Sequence, residues 1–344
     1  MSILVVGSVA LDSMQTPFGR VKDALGGAAT YFSAAASLYD QVNLVGVVGT
    51  DFPPEHLEFL ESKKVDLRGL QVKEGRTFRW SGRYDYDMGA AETLDTQLNV
   101  FADFHPRLPQ GYELSDLVFL ANIDPELQVE VLRQVKSPRL TVLDTMNYWI
   151  SYKKDTLSKA LSLVVIVLIN VAEARQYSNT FSLIRAARKI LDLGPKALVI
   201  KKGEYGAVLF YKLDNGDGHP VGGKDGSFVR DHAYFFAPAY PLEKIKDPTG
   251  AGDSFAGGFI GYLSRVRNIT ADELKRAVVH GSVIASFVVE DFSIDRLRSL
   301  HKGEVLQRYQ EFKHFTHFEH LCVHADTCEM LRLPAEDGLE WVNS

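Results

Sequence analysis

The chain has 344 residues, 46% hydrophobic and 24% charged, with a formal net charge of −6. That length supports a sizeable core in one large α/β domain or two smaller ones. An acidic balance with no basic stripe excludes general nucleic-acid binding, and an acidic protein that handles anions must gather positive charge locally, from lysine, helix N-termini or a metal ion.

The opening stretch, Ser2-Ile-Leu-Val-Val-Gly7, has no basic flank, is too short for a signal peptide and reads as a buried strand. Asp12 follows it, placed to accept hydrogen bonds from substrate hydroxyls or to cap a turn. Gly26-Gly27 then opens a helical pattern over residues 27–39. Apolar runs at 42–48, 117–120, 140–144, 164–169, 197–201 and 207–211 alternate with amphipathic stretches such as 125–135 and 182–193. Near-continuous apolar strands alternating with helices predict a mostly parallel sheet with helices on both faces. The longest apolar run, 161–169, is too short to span a bilayer.

Residues 75–101 break this rhythm. Thr77-Phe-Arg-Trp-Ser-Gly-Arg-Tyr-Asp-Tyr86 alternates polar with apolar and predicts an antiparallel pair outside the main sheet, either a lid or an edge hairpin. Asn122-Ile-Asp124 and Asp144-Thr-Met-Asn147 end strands, where cleft residues and ordinary turns both occur. Asn170 and Glu173 are spaced to face one site, an oxygen pair that suits Mg²⁺ or the N-terminus of a helix. Lys201, Gly203 and Gly206 form a turn, and the polar, glycine-rich segment 214–231 reads as a surface connection between strands.

The most informative string is Asp247-Pro-Thr-Gly-Ala-Gly-Asp253, followed at once by a helix of small and apolar residues. A small-residue loop entering a helix leaves backbone N–H groups free at the positive end of the dipole, which makes an anion site. Asp253 at its mouth is placed to take a proton from a hydroxyl attacking that anion, which suggests phosphoryl transfer. Gly257, Gly258 and Gly261 give the helix a nearly bare face. Each costs roughly 1 kcal/mol against alanine, so close packing against a strand or a ligand is expected.

After about residue 300 the pattern changes, and 309–344 reads as an appended tail. Its His314, His317, His320, Cys322, His324 and Cys328 match no standard zinc spacing, and a surface helix or docking tail is the favoured reading. The two cysteines make no disulfide framework, and a cytoplasmic location is expected.

The string 247–253 with its continuation resembles the C-terminal signature of the PfkB, or ribokinase-like, carbohydrate kinases. Val9-Ala-Leu-Asp12, Gly26-Gly27, Val45-Gly-Val-Val-Gly-Thr-Asp51, Asn170-Val-Ala-Glu173 and Lys201-Lys-Gly203-Glu-Tyr-Gly206 agree in chain order over about residues 1–300. The resemblance implies a Rossmann-like α/β kinase domain over 1–308, with lid strands within 13–25 and 75–101, and ATP-dependent phosphorylation of an alcohol. It makes Asp253 the catalytic base and the backbone of Gly250, Ala251 and Gly252 the anion hole. Asp12, Gly26, Gly27 and Asn147 fall on the acceptor side. Asn170 and Glu173 act on Mg²⁺ through water, and Lys201, Gly203 and Gly206 lie beside the ATP phosphates and ribose. Adenine falls near residues 280–286, and Asp247 and Thr249 hold K⁺ in some relatives. Lid sheets sometimes pair into homodimers, which would turn Trp80 to a second subunit. ATP and a small acceptor are the implied partners, with no nucleic acid or membrane.

Two places depart from the family: Asp144-Thr-Met-Asn147 is one residue longer than the Asp-x-Asn of related kinases, which favours an ordinary turn there, and Tyr31 stands where an asparagine usually contacts a sugar hydroxyl, which points away from ribose or fructose phosphate. Sugar, polyol and nucleoside acceptors stay open, since Phe78, Trp80, Tyr84 and Tyr86 suit a nucleobase, a sugar ring or the lid's own core. The alternative is a non-catalytic ligand-binding or regulatory module on a kinase fold. The intact loop and Asp253 favour an enzyme.

Overall fold

Ile3 and Val5 face one side of the first strand, β1 (Ser2–Val6), and Leu4 and Val6 the other; both sides are buried in separate hydrophobic clusters. The computed structural model describes residues 2–212 and 232–316, and this two-sided burial recurs across its main sheet. After β1 the chain forms β2 (Ala10–Thr16), β3 (Gly19–Gly26), helix α1 (Ala28–Ala36), β4 (Gln41–Gly49), α2 (Pro54–Ser62) and β5 (Val65–Lys73). Next come β6 (Phe78–Arg83), β7 (Glu92–Gln97), β8 (Leu117–Leu120), α3 (Pro125–Gln134), β9 (Leu140–Asp144), α4 (Asn147–Tyr152), α5 (Lys154–Ser162) and β10 (Ile166–Asn170). The remainder is α6 (Val171–Ser178), α7 (Leu183–Leu191), β11 (Ala197–Lys201), β12 (Ala207–Lys212), β13 (His232–Ala237), α8 (Ala251–Ser264), α9 (Ala271–Val288), α10 (Asp295–Ser299) and α11 (Lys302–Thr316).

The nine-stranded sheet runs β13-β12-β11-β10-β9-β8-β1-β4-β5. Strands from β11 to β5 pair in parallel, and β12 and β13 add an antiparallel edge. Helices α1, α2 and α8 to α11 cover one face and α3 to α7 the other. The strand order reverses at β1: the chain first builds outward to β4 and β5, then returns to place β8 on the other side. Ligands of open α/β sheets bind at such a switch point, beyond the carboxyl ends of the strands.

A separate sheet of order β3-β2-β6-β7 stands over this edge. The pair β6–β7 is antiparallel, as its alternating pattern requires. β2 leaves directly from the end of β1, so Asp12 belongs at once to the lid and to the switch point. Trp80 lies within its own sheet: Nε1 donates to Thr93 Oγ1 (3.2 Å) and its ring covers Gly82.

The glycine face of α8 meets helices, not the strand or ligand that composition suggested. A Cβ on Gly257 would lie 2.7 Å from Phe32 O, on Gly258 2.8 Å from His280 O, and on Gly261 2.5 Å from the Tyr39 ring. Helix α8 is clamped between α1 and α9, and the close approach offsets the glycines' cost.

Two edge strands have no counterpart among the apolar runs, β5 and β13. Helix α11 crosses the 308/309 boundary with Phe312 buried and His314 exposed. The segment 214–231 and the other tail histidines and cysteines lie outside the described residues. No helix among the described residues is long and apolar enough to cross a membrane.

Candidate active site

Three neighbouring parallel strands end on polar side chains: β9 on Asp144, β10 on Asn170 and β11 on Lys201. Lys201 Nζ reaches across the end of β10 to Asp144 Oδ2, 2.6 Å away. Asn170 caps α6: its Oδ1 accepts from Glu173 N (2.9 Å), and Glu173 Oε2 accepts from Asn170 N (2.8 Å). The helix-cap reading of this pair therefore holds. The cap fixes Glu173 in a buried position, where burial and then Asp144 push its carboxyl up to about 7 while Lys201 pulls it down. Burial works against the charge on Lys201, but Asp144 and Glu173 outweigh it and hold the ammonium above its usual range.

The signature string forms the facing wall. Helices α3, α6, α7 and α9 begin with side-chain caps, whereas α1 and α8 begin on Gly27 and Gly250 without one. Gly250 has φ 74° and lies against Tyr31, whose ring would be 2.3 Å from a Cβ there. Among the described residues the N–H groups of Gly250 and Gly252 have no protein acceptor, while Ala251 N donates to Pro248 O (3.2 Å). Two of the three expected donors are thus free at the positive end of α8. Asp253, in the first turn, keeps part of its surface open, yet protein surrounds it closely enough that burial pushes its carboxyl up to about 7. Asp144 adds to this and Lys201 opposes it.

Asp12 completes the cleft from the lid side. Its Oδ2 accepts from Gly27 N (3.2 Å), and a Cβ on Gly26 would lie 1.9 Å from the same oxygen. Gly27 has φ 91°, and a Cβ there would lie 2.5 Å from Ser8 O. Burial pushes Asp12 up to about 7, Gly27 N–H opposes, and Asp247 and Asp253 add to the rise. Tyr31 is fully buried with its hydroxyl lacking a hydrogen-bond partner, and burial followed by Asp12, Asp247 and Asp253 drives that phenol well upward. Tyr84, just past β6, comes down from the lid. Burial lifts its phenol to about 12, with Thr249 opposing and Asp247 and Asp12 adding.

The remaining expected residues make local contacts. Asn147 starts α4 and its side chain donates to Gln176 Oε1 (2.5 Å), so it is engaged with α6 and not with the Asp12 side of the cleft. Asn122 accepts from Trp149 Nε1 (2.9 Å), and Asp124 caps α3. Gly203 (φ 58°) and Gly206 (φ 84°) shape the turn between β11 and β12, closed by Lys202 N to Gly206 O (2.8 Å). The His280 ring is stacked between Tyr262 and Tyr309, with ring centroids 4.4 and 4.6 Å away, and burial lowers it to about 4. Tyr262 is in the last turn of α8, at the end opposite Asp253. Asp144 and Lys201 are both legible as charged residues closing apolar strands, but nothing in the sequence pairs them.

The pfkB family carbohydrate kinase pattern matches residues 3–296. The cytidine kinase of Thermococcus kodakarensis is 33% identical over 272 residues, covering 78% of this chain and 90% of that protein. A nucleoside kinase of Methanothermobacter thermautotrophicus is 24% identical over 313 residues, 84% of this chain and 89% of that protein. The crystal structure of the Methanocaldococcus jannaschii nucleoside kinase, an archaeal member of the ribokinase family, shares the fold. Its TM-score is 0.68 at 20% identity, over 90% of this chain and 98% of its own. The chain belongs to the pfkB family of carbohydrate kinases and is a phosphotransferase with an alcohol group as acceptor.

Proposed function

We propose that the protein transfers the γ-phosphoryl group of ATP to a hydroxyl of a nucleoside, with Asp253 as the base. The observation that carries this reading is the setting of Asp253. It is a carboxylate of raised basicity in the first turn of a helix whose Gly250 and Gly252 N–H groups are free. A base and an anion site within one helical turn suit an attacking hydroxyl and a migrating phosphoryl group. The similarity to a cytidine kinase favours a nucleoside among the acceptors.

Asp12 orients the acceptor by accepting hydrogen bonds from its hydroxyls, with Gly26 and Gly27 leaving room for close approach. Asp253 takes the proton of the attacking hydroxyl, whose oxygen bonds to the γ-phosphorus as the bridging P–O bond breaks and ADP leaves. Gly250, Ala251 and Gly252 receive the equatorial oxygens, which requires the Ala251 N–H to exchange Pro248 O for the phosphate. Lys201 offsets phosphate charge, and the turn with Gly203 and Gly206 takes the nucleotide. Tyr84 on the lid lies above Asp12 and Thr249, where closure excludes water.

Among the described residues the carboxylates of Asp144, Glu173 and Asp253 gather around a single ammonium; burial first, and then the charge of Asp144, pushes Glu173 and Asp253 up. That excess of oxygen donors fits a divalent cation: Asn170 and Glu173 would hold Mg²⁺ through its waters, and the ion supplies charge neutralisation at the phosphates. Asp247 is fully buried, accepts from Thr249 N (2.9 Å) and Ser293 N (3.4 Å), and has no cationic side chain among the groups that shift it. Asp247 and Thr249 suit K⁺.

The test is ADP formation with ATP and Mg²⁺ across nucleosides, sugars and polyols. Turnover dependent on a nucleoside is expected. Turnover with sugars or polyols alone would overturn the acceptor class, and no turnover with any acceptor would overturn the reaction.

A further inference from the structure

We infer that Asp144 is a positioning residue for phosphoryl transfer, aiming the Lys201 ammonium at the anion hole so that the amine serves the transferring phosphoryl group and not nucleotide affinity in general. This rests on the kinase reading above and adds a residue to it.

Lysine carries its charge on a flexible four-carbon stem, so a fixed position needs a cause. Here the cause is the 2.6 Å ion pair with Asp144, both side chains largely buried, at 16% and 6% exposure. Taking two charges out of water is costly, and such pairs are weak evidence for stability. Asp144 is itself anchored, since Oδ1 accepts from Thr145 N (2.8 Å). Gly252 shows where the ammonium stands. It lies in the first turn of α8, outside the positive-φ glycines, so its backbone does not call for glycine. The atom nearest to a Cβ there would be Lys201 Nζ, at 3.1 Å. A side chain there would press the ammonium back by a few tenths of an ångström, so the glycine leaves it room against the first turn of α8. Among the described residues Nζ donates to Asp144 alone, which leaves two of its three N–H bonds to face a ligand. A carboxylate cannot itself attract the phosphoryl group, so Asp144 acts through the amine.

The experiment compares wild type, Asp144→Asn, Lys201→Met and the double variant. It measures kcat with cytidine and ATP, and affinity for ADP and for a non-hydrolysable ATP analogue. Asp144→Asn is expected to lower kcat about ten- to a hundredfold. It should weaken the analogue more than ADP, whose affinity stays within about threefold. In the Lys201→Met background the same change should cost kcat nothing further. Equal losses in both backgrounds, or equal weakening of ADP and analogue, would overturn the inference. Asp144→Asn leaves a buried ammonium unpaired, so Gly252→Ala supplies a variant with both charges intact. Its Cβ should displace Nζ and lower kcat with Lys201 present but not with Met at 201, and the reverse pattern counts against the inference. If wild type shows no acceptor-dependent turnover the kinase reading fails separately, and the analogue-to-ADP ratio still decides the role of Asp144.

Discussion

The ring of Tyr31 packs directly beneath Gly250, so that a Cβ at position 250 would lie 2.3 Å from its Cδ1. Helix α1, which starts from Gly27, thereby supports Gly250, the residue from which α8 starts and the first of the proposed anion hole. Gly250→Ala should strain a left-handed backbone, by roughly 1–2 kcal/mol, and also drive the methyl into Tyr31. Gly203→Ala has similar backbone strain (φ 58°) but open space around the Cβ. Thermal unfolding should show a clearly larger loss of Tm for Gly250→Ala, together with loss of turnover. Equal Tm losses would show that the Tyr31 contact carries no weight.

Activity should fall on the acid side of neutrality. Asp253 is pushed up to about 7 by burial and Asp144, so it is protonated below that pH and able to accept a proton above it. A profile of kcat/KM for the acceptor should lose activity as pH drops through about 7. A profile flat down to pH 5 would mean that no such carboxylate takes part.

Asp12 is expected to trade stability for function. Its folded-state value of about 7 lies above its ordinary value of 3.8. The sign is that of a raised group: its contribution to stability is fully present below about 4 and is lost as pH rises through about 7. Asp12→Asn can keep the bond from Gly27 N without the charge. At pH 8 it should raise Tm, with the gain shrinking by pH 5, while kcat/KM for the acceptor falls at least about tenfold. A lower Tm at pH 8 would contradict this account of Asp12.

Much of this site was legible in residue order because its parts are local. An apolar strand ending in a polar residue places that residue on the carboxyl edge, which put Asn170 there, while Lys201 entered through the family resemblance. The small-residue string located Gly250 to Asp253 by the same logic. What sequence could not supply were partners distant along the chain. Asp144 and Lys201 are 57 residues apart and meet only because β9 and β11 flank β10. The glycines of α8 announced a close neighbour but not that it was a pair of helices. Asn147 went to Gln176 because α4 packs on α6, a tertiary choice that spacing does not encode. The edge strand β5 escaped notice because its polar and apolar residues mix over Val65–Lys73, as an edge allows.

The most direct test of Asp253 as the base compares wild type with Asp253→Asn on the same preparations, measuring nucleoside-dependent ADP formation at saturating ATP and nucleotide affinity in parallel. Turnover should fall by about 10²–10⁴, the usual contribution of a positioned general base, with ATP affinity changed less than about threefold. Near-normal turnover by Asp253→Asn with any acceptor would contradict the account.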